Sequence, residues 1–235
     1  MKKGIILAGG HGTRLEPLTL MTNKHLLPVY DKQMIMYPLQ TLLNAGIDDI
    51  LIISGREHAG HFLELLGSGS QFNAHFTYKV QDEAGGIAQA LLLAKDFIRD
   101  GERFVVILGD NIFENTPNLE LNEGKLAKVF LKVVPDAFRF GVAERDYFGE
   151  LTSIVEKPKG RLEGLAVTGL YVYSSNVFSF IDNLKPSARG ELEITDVNNF
   201  YVGNGKLGYE IIDGFWSDAG TFESLMKSSI WASKK

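Results

Sequence analysis

A chain of 235 residues with 45% hydrophobic and 23% charged residues has the balance of one globular α/β domain rather than of a disordered or fibrous chain. Its net charge of −5, with no basic run, disfavours nucleic acid as a main partner but leaves room for a local cluster of Lys and Arg around an anionic substrate. The absence of cysteine removes disulfides, thiolate metal sites and cysteine nucleophiles, and agrees with a cytoplasmic protein.

In chain order, Met1-Lys2-Lys3-Gly4-Ile5 leads into an apolar stretch that Gly9 and Gly10 interrupt at once. That stretch is too short for a signal peptide or a membrane span, so no membrane partner is expected. Ile5 to Leu7 reads as a buried strand feeding a glycine-rich loop. Ile35, Leu39, Leu42 and Leu43 recur at helical spacing, and Ala45-Gly46 closes that helix. Ile50 to Ile53 predicts the next strand, and Ser54 with Glu57 forms a capping-box pattern opening a helix through Leu66. A strand at Phe76 to Val80, a helix at Ile87 to Ile98 and a strand at Phe104 to Leu108 continue the rhythm. Strands alternating with helices imply parallel pairing through right-handed crossovers. After Leu126 strand-like runs follow one another (128–134, 140–143, 151–155, 167–173), then helices near 176–184 and 194–202. The expected fold is a Rossmann-like α/β domain, a mixed and mostly parallel central sheet flanked by helices. With no low-complexity linker, 1–235 reads as a single domain, its two parts meeting near residue 125.

Leu7-Ala8-Gly9-Gly10-His11-Gly12-Thr13-Arg14 follows the first strand. Glycines there let backbone N–H groups approach phosphate oxygens, and Arg14 and Lys24 add cations. Alone, such a loop reads better as a tight turn with two surface cations. Two familiar phosphate motifs fail on spacing. Gly10-His11-Gly12-Thr13-Arg14-Leu15 lacks the last glycine of the dinucleotide fingerprint, and no Gly-Lys-Ser/Thr follows for a P-loop. Asp110, just past a strand, and Asp218, after Phe215-Trp216, sit where acids reach the carboxyl edge of an open sheet. Each alone reads more readily as a turn residue or a helix cap. His58 and His61 lack a matching carboxylate motif and read as a solvated helix face.

The run Leu7-Ala8-Gly9-Gly10-x-Gly12-Thr13-Arg14-Leu15-x-Pro17-Leu18-Thr19, followed by Lys24-x-Leu26-Leu27-Pro28-Val29, resembles the signature of sugar-phosphate nucleotidyltransferases. The likeness continues through Gln81, Gly86-Ile87-Ala88-Gln89-Ala90, Leu108-Gly109-Asp110-Asn111, Glu156-Lys157-Pro158, Arg189 to Asp196 and Trp216-x-Asp218-x-Gly220-Thr221. Within the family it is most similar to the glucose-1-phosphate thymidylyltransferase branch. The resemblance implies dTTP and glucose 1-phosphate as substrates and Mg²⁺ as cofactor, held by Asp110 and Asp218. It places Leu7, Gly9, Gly10, Gly12, Thr13, Arg14, Gln81, Gly86 and Asp110 around the nucleotide, with Gln81 and the Gly86 backbone on the base. It places Gly141, Glu156, Lys157 and Arg189 around the sugar phosphate, although Arg189 reads almost as well as a loop cation. Arg14, Lys24 and Lys157 are the catalytic candidates.

The chemistry asks for no enzyme nucleophile. A phosphate monoester has a second pKa of about 6, so a sugar 1-phosphate is largely a dianion at neutral pH and needs no general base. The obstacle is bringing two polyanions together, which cations and backbone donors address by positioning and charge neutralisation. Gln81 matches the hydrogen-bonding edge of thymine and of uracil alike, so UTP or another sugar 1-phosphate stays open, as does a non-catalytic nucleotide-sugar sensor.

The chain departs from the family pattern at His25, Gln33, Met36, Asp82 and Phe140, where Gln, Pro, an aromatic, Pro and Tyr are usual. It ends soon after the helix expected near Thr221, whereas long members carry further C-terminal helices. A short form is therefore expected, with homo-oligomer formation left open.

Overall fold

The computed structural model describes residues 2–235. Nine strands and α-helices follow one another along the first half of the described residues: β1 (Lys3–Ala8), β2 (Pro28–Val29), β3 (Lys32–Gln33), α1 (Met36–Asn44), β4 (Asp49–Gly55), α2 (Ala59–Leu66), β5 (His75–Gln81), α3 (Ile87–Leu92) and β6 (Arg103–Leu108). The second half is richer in strands: β7 (Ile112–Phe113), β8 (Ala127–Val134), β9 (Gly141–Arg145), β10 (Leu151–Glu156), β11 (Gly164–Ser174), α4 (Val177–Ile181), α5 (Ile194–Gly203), β12 (Leu207–Ile211), β13 (Trp216–Ser217) and α6 (Phe222–Ala232). One nine-stranded sheet runs β10-β9-β11-β6-β1-β4-β5, with β8 paired to β11 and β12 to β8.

Strands β5, β4, β1 and β6 are mutually parallel, with Ile5 beside Leu51 and Val106. Both faces of β4, β1 and β6 are covered, which is why they read as unbroken apolar runs, whereas β5 at the edge is half exposed. Side-chain alternation then divides them between two cores. Ile5, Leu7, Leu51, Ile53 and Val106 join one cluster with Tyr173, Val197 and Tyr201. Ile6, Ala8, Ile50, Ile52 and Val105 join the other with Leu39, Leu42 and Phe62. Each fully buried Ile or Leu contributes about 1.5–3 kcal/mol, so a one-residue slip of β1, by swapping its side chains between the two cores, would mispack both layers at once. Gly4 sets how closely α1 approaches, since a Cβ there would lie 2.8 Å from Leu42 Cδ1.

Beyond β6 the sheet changes sense. β11 lies antiparallel to β6, and β8 and β9 pair antiparallel with β11. The mixed sheet thus carries a parallel block from the first half and an antiparallel extension from the second.

Local sequence signals fail at three places. Ser54 does not cap a helix: it is buried inside β4, opposite Ala8 and Val80, and α2 starts after a 3₁₀ turn with no side-chain cap. Pairing on both sides outweighs a cap worth about 1 kcal/mol. The helix expected to reach Ile98 ends at Leu92, where Lys79 Nζ from β5 donates to the Leu93 carbonyl at 2.8 Å and the chain tightens into i→i−3 bonds. The helix expected at 176–184 is confined to Val177–Ile181. By contrast, Thr221 does cap α6, in a reciprocal box with Ser224.

Candidate active site

The glycine-rich loop leaves β1 at its carboxyl end and makes one short 3₁₀ turn, Thr13–Leu15, not an α-helix. Gly12 has φ 72°, open to glycine at little cost. Gly9 serves for a different reason: a Cβ there would lie 2.5 Å from Gln81 Oε1. Gln81 ends β5, and its Nε2 donates to Gln89 Oε1 at 2.9 Å, which also accepts the Gly85 N–H. Gln89 thus fixes which way the Gln81 amide faces.

Two cavities open along this rim. The larger, about 560 Å³, is lined by Arg14, Asp110, Glu156, Lys157, Arg189 and Asp218 among others, with Thr13 and Gly141 also on its wall. These residues come from six separate segments of chain. The smaller, about 170 Å³, is lined by Gly9, Gly10 and Gln81, together with Asn23, His58 and Asp82. His58 therefore belongs to a cavity wall, whereas His61 is the exposed member of that stacked pair. Leu7, Gly12, Lys24 and Gly86 line neither space. The Leu7 carbonyl accepts from Gly109 N–H at 2.9 Å. Gly86, at φ 98°, packs so closely on Leu192 that a Cβ would meet its carbonyl oxygen at 2.6 Å.

Both aspartates are held by cations. Lys24 Nζ donates to Asp110 Oδ2 at 2.5 Å, and Arg139 Nη2 donates to Asp218 Oδ2 at 2.5 Å while its Nη1 reaches Asp136. Burial pushes the Asp110 carboxyl up, but Lys24, His25 and the Asn111 amide together outweigh it and hold the group below the ordinary carboxylate value. Asp110 therefore stays ionised in its buried place. Burial pulls the Arg139 guanidinium down, and Asp218 and Asp136 more than reverse it.

On the opposite wall, Thr195 Oγ1 donates to Glu156 Oε2 at 2.6 Å. Arg189 is tied chiefly to Glu193, at 2.8 Å, and more loosely to Glu156 and Glu191. Lys157 has φ 45°, a left-handed conformation, with its N–H donated to the Phe140 carbonyl. Ala219, beside Asp218, has φ 35°. Two non-glycine residues in that region flank one cavity, and such strain persists where surrounding structure over-determines the backbone.

Sequence reading missed Arg139, Thr195 and Tyr171 as wall residues. Arg139 stands two before Gly141, and Thr195 lies inside the Arg189 to Asp196 run, but neither pattern reveals the carboxylate each meets. Tyr171 is 3% exposed, and burial, reinforced by Glu156 and Asp110, raises its hydroxyl pKa, so it remains a protonated phenol on the cavity floor.

His25, one of the departures from the family pattern, is buried beneath Gly109, where a Cβ would lie 2.7 Å from its ring. Its Nδ1–H donates to Asn23 Oδ1 at 2.6 Å. Burial, with Lys24 adding, lowers its pKa to about 3, against the raising effect of Asp110 and the Ala8 carbonyl. The folded state therefore keeps His25 neutral where the unfolded chain protonates it, below pH 6.5. Stability is lost as pH falls from 6.5 and levels off near 3, by about 2 kcal/mol at pH 5. In the ligand-free protein, the drop in Tm between pH 7 and pH 5 is expected to be about 4–8 °C larger than in His25→Gln. Equal drops in the two proteins would contradict this.

Two carboxylates on one cavity, with phosphate oxygens and water completing the shell, suit a hard divalent ion. Among the described residues no group of three or more His, Asp or Glu converges as a self-sufficient metal site, so substrate oxygens would supply part of any shell. Among the same residues no helix is long and apolar enough to cross a membrane.

The family model for nucleotidyl transferases matches residues 3–233. The chain belongs to the nucleotidyl transferase family. It is 48% identical over 234 residues to the glucose-1-phosphate thymidylyltransferase of Neisseria gonorrhoeae, covering 97% of this chain and 81% of that protein. It is 46% identical to the enzyme of the same name from Xanthomonas campestris pv. campestris strain B100, covering 97% and 79%. A Bacillus anthracis crystal structure, provisionally named for the same activity and solved with sucrose, superposes with TM-score 0.92 at 52% identity, covering 99% of this chain and 95% of that one. A UDP-glucose pyrophosphorylase complexed with UDP-glucose shares the fold, with TM-score 0.86 at 24% identity and full coverage of both chains. Membership in the nucleotidyltransferases accounts for a rim rich in cations beside two aspartates: the family's chemistry joins two anions.

Proposed function

We propose that the chain is a glucose-1-phosphate thymidylyltransferase of the cytoplasm, converting dTTP and glucose 1-phosphate to dTDP-glucose and pyrophosphate. The observation that carries the reading is the 560 Å³ cavity, where Arg14, Lys157 and Arg189 share walls with Asp110 and Asp218 next to the Gln81 pocket. The smaller pocket suits the base: Gln81, oriented by Gln89, offers a donor and an acceptor to a pyrimidine edge. Residues 9–84 line it, and much of the larger cavity comes from 139–218, which supports assigning the nucleotide to a part covering about 1–125 and the sugar phosphate to about 126–235.

In this reading the sugar-phosphate oxygen attacks the α-phosphorus in line, and the bond to the departing pyrophosphate breaks. Lys157 and Arg189 hold the sugar phosphate, Arg14 holds the triphosphate, and Glu156, aligned by Thr195, accepts from sugar hydroxyls near the Gly141 backbone. Lys24 acts from behind, keeping Asp110 ionised. Asp110 and Asp218 would hold Mg²⁺, which when bound neutralises phosphate charge that the cations leave uncompensated.

Purified protein is expected to release pyrophosphate with dTTP, glucose 1-phosphate and Mg²⁺, and more slowly with UTP or other hexose 1-phosphates. Silence across a panel of triphosphates and sugar phosphates would instead make it a binder of nucleotide sugars.

A further inference from the structure

Asp110 and Asp218 lie far apart in sequence, and one side chain ties their segments together. Asn111 is 2% exposed and its carboxamide is engaged on three sides. Its Nδ2 donates to Asp110 Oδ1 at 2.9 Å, the carboxylate oxygen that Lys24 leaves free. Its Oδ1 accepts from the Trp216 indole N–H at 2.9 Å and from the Gly169 N–H at 2.8 Å. Trp216 then packs on Phe140 at 5.4 Å between ring centroids, the Arg139 guanidinium lies 4.9 Å over the Phe140 ring, and Arg139 grips Asp218. The contacts close a circuit from Asp110 through Asn111, Trp216, Phe140 and Arg139 to Asp218. Backbone pairing of β7 with β13 runs alongside it.

We infer that Asn111 is a positioning residue that sets the relation between the two acidic segments, so that loading of Asp110 with a divalent cation is felt at Trp216. The inference rests on the functional reading above. Only a carboxamide fills the role. Aspartate would set a second negative charge against Asp110 and has no hydrogen to donate when ionised. Alanine would leave two buried N–H groups unpaired. The opposite strand is shaped to the same end: a Cβ on Gly169 would lie 2.5 Å from Asn111 Nδ2, so glycine there is the room the amide needs. Outer partners of metal-binding carboxylates orient them, and losing one weakens metal affinity by about 10–100-fold.

Trp216 is one of two tryptophans in the chain, so Trp231→Phe leaves it as sole reporter. In that protein, Mg²⁺ is titrated against saturating dTTP without sugar phosphate, and Trp216 emission is followed. Emission is expected to change and saturate, with its midpoint at the Mg²⁺ concentration that half-activates turnover. Gly169→Ala, which displaces the amide without touching Asn111, is expected to raise that half-point about tenfold and diminish the emission change. Binding of dTTP without metal, followed by equilibrium dialysis, should stay within about twofold. Trp216→Phe, which removes the N–H donor with part of the indole but retains an aromatic ring, provides a second variant; its Mg²⁺ requirement for turnover should rise, with the KM for glucose 1-phosphate nearly unchanged. The inference is overturned if Trp216 emission ignores Mg²⁺ in protein that binds dTTP and turns over, or if both variants keep the original half-point. Failure of the unsubstituted protein to bind dTTP would defeat the functional reading itself, and the inference with it.

Discussion

Asp110→Asn lowers turnover by about a thousandfold while the protein still folds, the largest effect expected of any single change. The substitution removes a negative charge from a site where Lys24 and the Asn111 amide already satisfy both oxygens. An asparagine can still accept from Lys24 but no longer offers a charged ligand to a divalent ion. Leaving one partner of a buried pair costs about 3–5 kcal/mol when the other charge is trapped. Lys24 is not wholly trapped, its side chain being 13% exposed, and it borders the open loop, so the loss of stability should fall below that range. Pyrophosphate release and thermal unfolding, measured on the same preparation, separate the two effects. Turnover near that of the unsubstituted protein would remove Asp110 from the metal site.

Lys157→Met is expected to lower kcat/KM for glucose 1-phosphate by about a hundredfold with dTTP binding unchanged. The left-handed backbone at Lys157 and its N–H bond to Phe140 hold the Cα in place whatever the side chain, and methionine keeps much of the apolar stem. Its contact with Glu156, at 3.4 Å, is a half-exposed ion pair whose loss hardly affects folding. Steady-state kinetics with each substrate varied in turn, beside dTTP binding at equilibrium, checks the split. A loss confined to dTTP would reassign Lys157 to the nucleotide.

The parallel block was readable because β1, β4 and β6 are buried on both faces and therefore apolar along their length, and because Asp110 and the glycine loop sit at strand ends. Features set by neighbours distant in sequence were not. Ser54 looks like a cap until β1 and β5 are laid against it, and α3 looks longer, reaching Ile98 rather than Leu92, until Lys79 arrives from β5. Lys24 reads as a free cation, yet its partner is 86 positions away; Arg139 is an ordinary basic residue until Asp218, 79 positions on, is beside it. Residue types that carry chemistry announce themselves in a motif. The partners that hold them in an ionised or strained state do not, because they are chosen by the tertiary fold.

The cavity draws on Arg14 near one end of the chain and Asp218 near the other, with β11 wedged between β6 and β8 to bring them together. Native pairings of such long range are slow to form, since the intervening chain must surrender its freedom before they reward it. A nascent chain that has completed β1 to β6 already owns a loop, a lysine and one acid, but no wall opposite. The second acid joins the first only where β13 pairs with β7, so the walls of the cavity are completed by the last strand of the chain.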